Sequence, residues 1–211
     1  MPDRHDTPID PATGGALWRL FVAVFPDEAA LDAMAPMDRW LNRINSHRII
    51  PRAQRHLTLA FVGDIDPLRL PSLQSTLTQT ADRFSPFQTP FSGVTAFPSL
   101  RTPRVIAVAV DRTETLGAFM RSSLQSVARI APTDTVLRDL DRDLQPHITT
   151  ARTRRSSRAR MIDLNSAPTL SGSLLVRRIS LVRSQLSPTG PVYQSIAEIP
   201  LQNLASRQIN G

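Results

Sequence analysis

The chain of 211 residues contains no cysteine, which excludes disulfide bonds and thiolate metal sites. It also lacks an apolar run of the roughly 18 residues that a membrane span needs. Residues 1–16 are polar and carry three aspartates, unlike a secretory signal. These absences predict a soluble protein of a reducing compartment, so we expect a cytoplasmic location and no membrane partner.

Lysine is absent as well, so all 25 basic residues are arginines, and the net charge is +7. Guanidinium groups bind phosphate oxygens bidentately, which suits a nucleic-acid partner. A complete lack of lysine is nevertheless typical of a genome-wide coding bias, so local clusters of arginine carry more weight than the total. The densest cluster is either a positive rim that guides RNA or a solvated loop, and the sequence leaves both open. It consists of Arg152, Arg154, Arg155, Arg158 and Arg160.

Two of the four histidines stand in the same short pattern, with a threonine two residues later. The two copies are His56 with Thr58 and His147 with Thr149, and each begins an apolar, strand-like run after a bend. Side chains at i and i+2 of a strand share a face, while the residue between them points to the other face. Each copy therefore places an imidazole beside a hydroxyl, with an apolar residue directed into the core.

Two such strands brought together would pair two imidazoles across a small gap. Histidine is the side chain whose ordinary pKa lets one copy act as a base and another as an acid near neutral pH. A threonine hydroxyl can hold a phosphate oxygen beside the ring, so the pattern predicts phosphodiester cleavage without a metal or other cofactor. The simpler alternative is two ordinary strand histidines. We assign no role to His5, in the polar lead-in, or to His47, which we expect in a turn.

The order of predicted elements contains two similar halves, each with one histidine strand. We predict an α+β fold in which two pseudo-symmetric antiparallel sheets face a central groove, with helices packed outside. The helix that follows the first strand is expected to kink at Pro36. Residues 131–146 read as a loop, and residues 174–183 read as one strand. The predicted organisation is a flexible lead-in (1–16), a single bilobal domain (17–201) and a C-terminal tail (202–211).

Several blocks, in order, resemble the two-histidine (2H) phosphoesterase superfamily, and within it the RNA 2',3'-cyclic phosphodiesterases, also called 2'-5' RNA ligases. The resemblance spans roughly residues 18–201 and is more specific than either short pattern. The blocks are Leu20–Val24, His56–Gly63, Phe97–Pro98 with Arg101–Val105, Pro146–Thr149 with Ala151–Arg152, Ser180–Leu186, and Gly190 with Tyr193 and Pro200–Leu201.

The resemblance implies metal-independent hydrolysis of a terminal 2',3'-cyclic phosphate on RNA, leaving a 2'-phosphate, without a cofactor. It implies that His56 is the proton donor and His147 the proton acceptor, and that Thr58 and Thr149 hold phosphate oxygens. Arg152 would stabilise the charge of the pentacovalent state. The expected partner is an RNA or nucleotide that bears a 2',3'-cyclic phosphate, bound by a monomer.

Two features depart from the family pattern. Thr150 occupies a position that is usually apolar. The segment 131–146 is unusually acidic for a neighbour of a polyanion site, so we expect it either to face away or to disfavour long RNA. Its acidic residues are Asp134, Asp139, Asp141 and Asp143.

The leading interpretation includes reversible 2'-5' RNA ligation, and two alternatives to it stay open. A related enzyme could act on small cyclic nucleotides or 2'-5' linkages. A non-catalytic protein could bind an RNA end or nucleotide through the same groups. A metal-dependent hydrolase is disfavoured, because neither histidine has another ligand at a suitable spacing.

Overall fold

The computed structural model describes residues 15–44, 47–153, 162–187 and 190–202. The lead-in up to residue 14 with His5, most of the tail, and Arg154, Arg155, Arg158 and Arg160 lie outside these ranges. The helices are α1 (Glu28–Ala33), α2 (Ala35–Asn42), α3 (Leu70–Ala81), α4 (Glu114–Ile130) and α5 (Asp134–Leu140). The strands are β1 (Trp18–Val24), β2 (His47–Ile49), β3 (Leu57–Ile65), β4 (Phe87–Phe97), β5 (Val105–Val110), β6 (His147–Thr153), β7 (Ser173–Val176), β8 (Arg178–Ser187) and β9 (Gly190–Pro200).

The strands form two antiparallel halves that join at the middle. The sheet order is β7-β4-β5-β6-β3-β1-β8-β9, and β2 adds to β6. The halves meet where β3 pairs with β6, with Leu57 opposite Ile148. The predicted α+β class with two antiparallel lobes is confirmed, and the two lobes share one continuous sheet.

The alternation of side chains along β1 separates two apolar clusters. Leu20, Val22 and Val24 belong to the main core, which also contains buried residues of the helices, among them Leu73 of α3. Phe21 points to the opposite face and forms a small cluster with neighbouring strand residues. Because successive strand residues face opposite sides, one face of the sheet packs on helices and leaves the other for a site.

The segment 131–146, which we predicted as a loop, contains the helix α5. Thr133 caps this helix, because its hydroxyl accepts a hydrogen bond from the amide of Val136 at 3.4 Å. The same hydroxyl donates to the carbonyl of Val62 in β3 at 3.1 Å. The prediction was wrong because α5 has seven residues and buries Val136 alone, which is too little to produce a helical periodicity.

The structure differs from three local predictions. His47 does not lie in a turn, because it starts β2 and is buried opposite Thr153. The predicted strand 174–183 is interrupted at Arg177, where the chain passes from β7, beside β4, to β8, beside β1. The helix with the predicted kink divides at Met34, and Pro36 lies in the first turn of α2, where its missing N–H costs no hydrogen bond.

Within the described ranges, no helix is both long and apolar enough to cross a membrane.

Candidate active site

The junction of the two lobes brings both histidine motifs to one place. Leu57 and Ile148, the middle residues of the motifs, oppose each other and are fully buried in the core. His56, Thr58, His147 and Thr149 therefore project from the other face, and all four line one cavity of about 360 Å³. The convergence expected from the sequence is present in the structure.

The ring of each histidine is held by the backbone carbonyl of the residue two positions earlier in the chain. Nδ1 of His56 lies 2.7 Å from the carbonyl oxygen of Gln54, and Nδ1 of His147 lies 2.9 Å from that of Gln145. A carbonyl can only accept, so Nδ1 carries the proton in both rings. The Nε2 atom of each neutral ring is left as the acceptor for proton transfer.

A buried ion pair supports the bend before His56. The guanidinium of Arg55 is only 1% exposed. Its Nε donates to the carbonyl of Ile50 at 3.1 Å, and its two terminal nitrogens donate to the two carboxylate oxygens of Asp38 in α2. The bidentate pair ties the residue next to His56 to the helix layer. Sequence reasoning missed this contact because it joins residues on different elements.

Burial and positive charge both favour the neutral imidazole. Burial lowers the pKa of His56 to about 4, and the charges of Arg152 and His147 act in the same direction. Burial, followed by the charge of Arg152, also lowers the pKa of His147 below its ordinary value. Both rings are therefore neutral at pH 7 in the free protein, and a bound phosphate anion would favour their protonated forms.

The two histidines have different aromatic surroundings. The ring of His56 lies 4.8 Å from that of Phe21, 5.6 Å from Phe25 and 5.3 Å from Tyr193. The ring of His147 contacts Phe97, with centroids 4.6 Å apart. The cavity is therefore richer in aromatic side chains near His56 than near His147. Tyr193 entered the sequence analysis only as part of a family block.

Three arginines line the cavity, of which the sequence predicted only Arg152. Arg48 lies opposite Arg152 in the pairing of β2 with β6. Arg19 donates two hydrogen bonds to Asp64, at 2.9 and 2.8 Å, which raise the pKa of its guanidinium. Arg48 and Arg19 were missed because an isolated arginine in a strand carries no signal of the site that the sheet brings it to.

The structure shows how the two departures from the family pattern, Thr150 and the acidic segment 131–146, are accommodated. Thr150 is buried, and its hydroxyl donates to the carbonyl of Ile106 at 3.1 Å, so the polar group is satisfied within the core. The acidic segment does not turn away as a whole, because Asp139 of α5 lines a second cavity that also contacts His147. Asp143 forms an ion pair with Arg112.

In the part of the chain that the structure describes, no group of three or more His, Asp or Glu side chains could hold a metal ion.

Comparison with known proteins identifies similar chains. The family model described as "2'-5' RNA ligase superfamily" matches residues 25–187. The RNA 2',3'-cyclic phosphodiesterase of Archaeoglobus fulgidus is 27% identical over 180 residues, covering 84% of this chain and 97% of that protein. The Thermus thermophilus protein of the same name is 30% identical, covering 90% of this chain and 93% of that protein. The crystal structure of TT0787 from Thermus thermophilus has a TM-score of 0.74 at 28% identity, covering 87% and 97% of the two chains.

Proposed function

The chain belongs to the 2'-5' RNA ligase superfamily, and on this premise we propose that it hydrolyses terminal 2',3'-cyclic phosphates of RNA to 2'-phosphomonoesters. One observation carries the proposal: two imidazoles, each with Nδ1 held by a carbonyl, line the same cavity with a threonine beside each. General acid–base catalysis by two positioned groups needs this arrangement.

The proposed reaction is an in-line displacement at phosphorus. Nε2 of His147 accepts a proton from the attacking water while the new P–O bond forms. The P–O3' bond breaks on the opposite side, and Nε2 of His56 donates a proton to the departing 3'-oxygen. Thr58 and Thr149 donate hydrogen bonds to the non-bridging oxygens. Arg152 stabilises the negative charge that develops on them.

The assignment of the two histidines rests on their surroundings. The ribose carries the departing 3'-oxygen, so the donor lies where the nucleoside packs. The aromatic rings of Phe21, Phe25 and Tyr193 lie around His56 and favour that side for the nucleoside. An in-line reaction then places water on the His147 side. The low pKa of His56 requires the bound anion to raise it before the proton can be donated.

The test is product analysis on a short RNA that ends in a 2',3'-cyclic phosphate, with and without a chelator. We expect a 2'-phosphate product, unchanged by the chelator. Each of His56→Gln and His147→Gln should reduce kcat by at least about 10²-fold, because one general acid or base is lost. Full turnover in both variants would refute the two-histidine mechanism. Tight binding without any product would indicate a non-catalytic RNA-end protein.

A small cyclic nucleotide is the second candidate substrate, and the size of the cavity favours it. About 360 Å³ is near the lower limit of small-molecule pockets and is suited to one nucleotide. Comparing kcat/KM for a nucleoside 2',3'-cyclic phosphate and for an RNA with the same terminal nucleotide separates the two candidates. A higher value for the RNA supports the first proposal.

We also propose that the same groups catalyse reversible 2'-5' ligation when an alcohol replaces water.

A further inference from the structure

A third cavity, of about 340 Å³, lies beyond the aromatic side of the active site. Its lining includes Phe25, Ser180 and Glu198. Phe25 also contacts the ring of His56, with centroids 5.6 Å apart, so it connects the two places. The histidine motifs and Arg152 do not line this cavity, so the groups that act on the phosphate leave it unused.

Strand pairing places this cavity in line with the active site. Ala23 of β1 is opposite Thr58 of β3 on one side and opposite Ser180 of β8 on the other. Ser180 is in turn opposite Glu198 of β9. Residues that are directly opposite in a sheet point to the same face, so the four side chains form one row across it. Neighbouring strands lie about 4.8 Å apart, so the row leads from Thr58 to Glu198 over roughly 14 Å.

The carboxylate of Glu198 is held in position by two hydroxyls. Ser180 donates to one oxygen at 2.9 Å, and Ser195 donates to the other at 2.6 Å. The register between β8 and β9 skips Ile196, which puts Ser195 on the same face as Glu198. Each carboxylate oxygen has a second acceptor position, so Glu198 can still accept two hydrogen bonds from a ligand.

A cation without a protein partner stands beside this carboxylate. Arg178 is opposite Pro200, two residues along β9 from Glu198, so the two charged side chains are diagonal neighbours on one face. Within the described ranges, the exposed guanidinium of Arg178 forms no hydrogen bond or ion pair. The second cation of the lining, Arg177, pairs with Asp27 at 3.2 Å. Arg178 is therefore the cation that a ligand in this cavity would meet.

These groups match the hydrogen-bonding edges of guanine. Guanine offers two adjacent donors, N1–H and the 2-amino group, to a carboxylate, and two adjacent acceptors, O6 and N7, to a guanidinium. Adenine and cytosine would direct a ring-nitrogen acceptor at the carboxylate beside their amino group. Uracil has one N–H donor between two carbonyl oxygens. The ring of Phe25 supplies a surface on which the base can stack.

The proposed reaction indicates which nucleotide reaches this cavity. The terminal nucleoside packs on Phe21, Phe25 and Tyr193 beside His56, and the RNA strand continues from the 5'-oxygen of its ribose. Phe25 belongs both to these aromatic surroundings and to the lining of the third cavity. The nucleotide that precedes the terminal one is therefore the next group to reach the third cavity.

We propose that the third cavity is a specificity subsite, which binds the base of the nucleotide preceding the cyclic phosphate and selects guanine. Glu198 accepts hydrogen bonds from N1–H and the 2-amino group, Arg178 donates to O6 and N7, and the base packs on Phe25. The inference rests on the proposed function. It adds a reason for this protein to prefer RNA, since a single nucleotide leaves the subsite empty.

The experiment compares four dinucleotides that differ only in the first base. Each ends in adenosine 2',3'-cyclic phosphate, and the preceding nucleotide is G, A, U or C. We measure kcat/KM for wild type, Glu198→Gln and Arg178→Gln. The matched controls are Glu114→Gln and Arg129→Gln, which replace exposed charges of α4 that line none of the three cavities.

We expect wild type to prefer the dinucleotide with guanine about tenfold or more, because bidentate contacts discriminate between bases. Glu198→Gln should reduce this preference to less than about threefold, since the glutamine amide group directs a donor at a donor of guanine. Arg178→Gln should weaken it as well. Turnover of the adenine dinucleotide should stay near the wild-type value in both variants. The control variants should keep the full preference. A purely structural defect would lower turnover of all four substrates together and leave the ratios unchanged.

Three results would overturn the subsite: equal kcat/KM for the four dinucleotides in wild type, an unchanged preference in both variants, or a preference that follows the terminal base when the order is reversed. Absence of hydrolysis of every dinucleotide would instead contradict the proposed function itself, so the two failures are distinguishable.

Discussion

Leu57 and Ile148 oppose each other at the junction of β3 and β6, and both side chains are fully buried. Each stands between the histidine and the threonine of its motif, so the packing of this apolar pair on one face of the sheet sets the spacing of the polar groups on the other. Because β3 and β6 are antiparallel, the two motifs meet with opposite chain directions. The site is therefore supported from beneath by the main core.

Shortening this pair should reduce both stability and activity. We expect Ile148→Ala to lower the free energy of unfolding by about 2–5 kcal/mol, because it leaves a cavity at a fully buried position. We also expect a fall in kcat, since the facing motifs lose their spacing. Urea denaturation and turnover are the measurements. Leu68→Ala is the control, because Leu68 is 81% exposed and its loss should cost less than about 0.5 kcal/mol.

Replacing Asp38 by Asn should destabilise the protein strongly. The change leaves the guanidinium of Arg55 buried without its counter-charge, and breaking such a pair costs about 3–5 kcal/mol. Arg55→Met combined with Asp38→Leu should recover much of that loss, because both charges are removed together. Denaturant midpoints of the single and double variants measure this. Asp64→Asn, which breaks the exposed pair with Arg19, serves as the control and should cost about 1 kcal/mol or less. Equal effects in Asp38→Asn and Asp64→Asn would contradict the special role of burial.

The pH dependence of kcat/KM should be bell-shaped, with its maximum below pH 6.5. Catalysis needs one neutral and one protonated imidazole, and this profile reports the pKa values of the free enzyme. Both values are lowered, that of His56 to about 4, so the singly protonated form prevails only in acidic solution. The profile of kcat should lie at higher pH, because the bound anion raises both values. A kcat/KM maximum above pH 7 would be inconsistent with the observed burial.

Replacing Arg152 by Gln should change both the rate and the pH profile. The rate should fall because the developing negative charge loses a cation, by about 10²-fold or more. The kcat/KM profile should move to higher pH, because the positive charge of Arg152 contributes to the low pKa of both histidines. Arg129→Gln, which replaces an exposed arginine of α4 that does not line the cavity, supplies the control. A merely structural arginine would lower the amount of folded enzyme without moving the profile.

The protein should lose stability in mild acid. His47, His56 and His147 all have a pKa below the ordinary value because of burial, so the unfolded chain binds their protons more readily. Their contribution is fully present above pH 6.5 and declines as the pH falls through 6.5 towards the folded values. For His56, a pKa of about 4 against 6.5 amounts to about 3 kcal/mol once the pH is below 4. Denaturant midpoints between pH 8 and pH 5 measure the decline, and His56→Gln should make it shallower.

Local patterns in the chain were sufficient for much of the architecture. The predicted family and the α+β class are confirmed. The class prediction depends on periodicity over consecutive residues. The functional roles of His56, His147, Thr58, Thr149 and Arg152, and the domain limits, stay predictions.

The parts that could not be predicted are those that consecutive residues do not encode. The helix α5 is short and buries one residue, Val136, so its periodicity was too weak to detect. The strand β2 has three residues and exists because it pairs with β6, which brings Arg48 to the site. The ion pair of Arg55 with Asp38 joins two elements whose contact no local pattern reports.

The sequence by itself determined which side chains share a face of each strand, because the two-residue alternation is a property of the extended backbone. It therefore placed an imidazole and a hydroxyl together, twice. Only the tertiary structure decided that β3 and β6 meet at Leu57 and Ile148, that aromatic rings surround His56, and that α5 builds a second cavity beside His147. These relationships depend on contacts between segments that are distant in the sequence. Such contacts are stabilised by the core as a whole, so no local pattern encodes them.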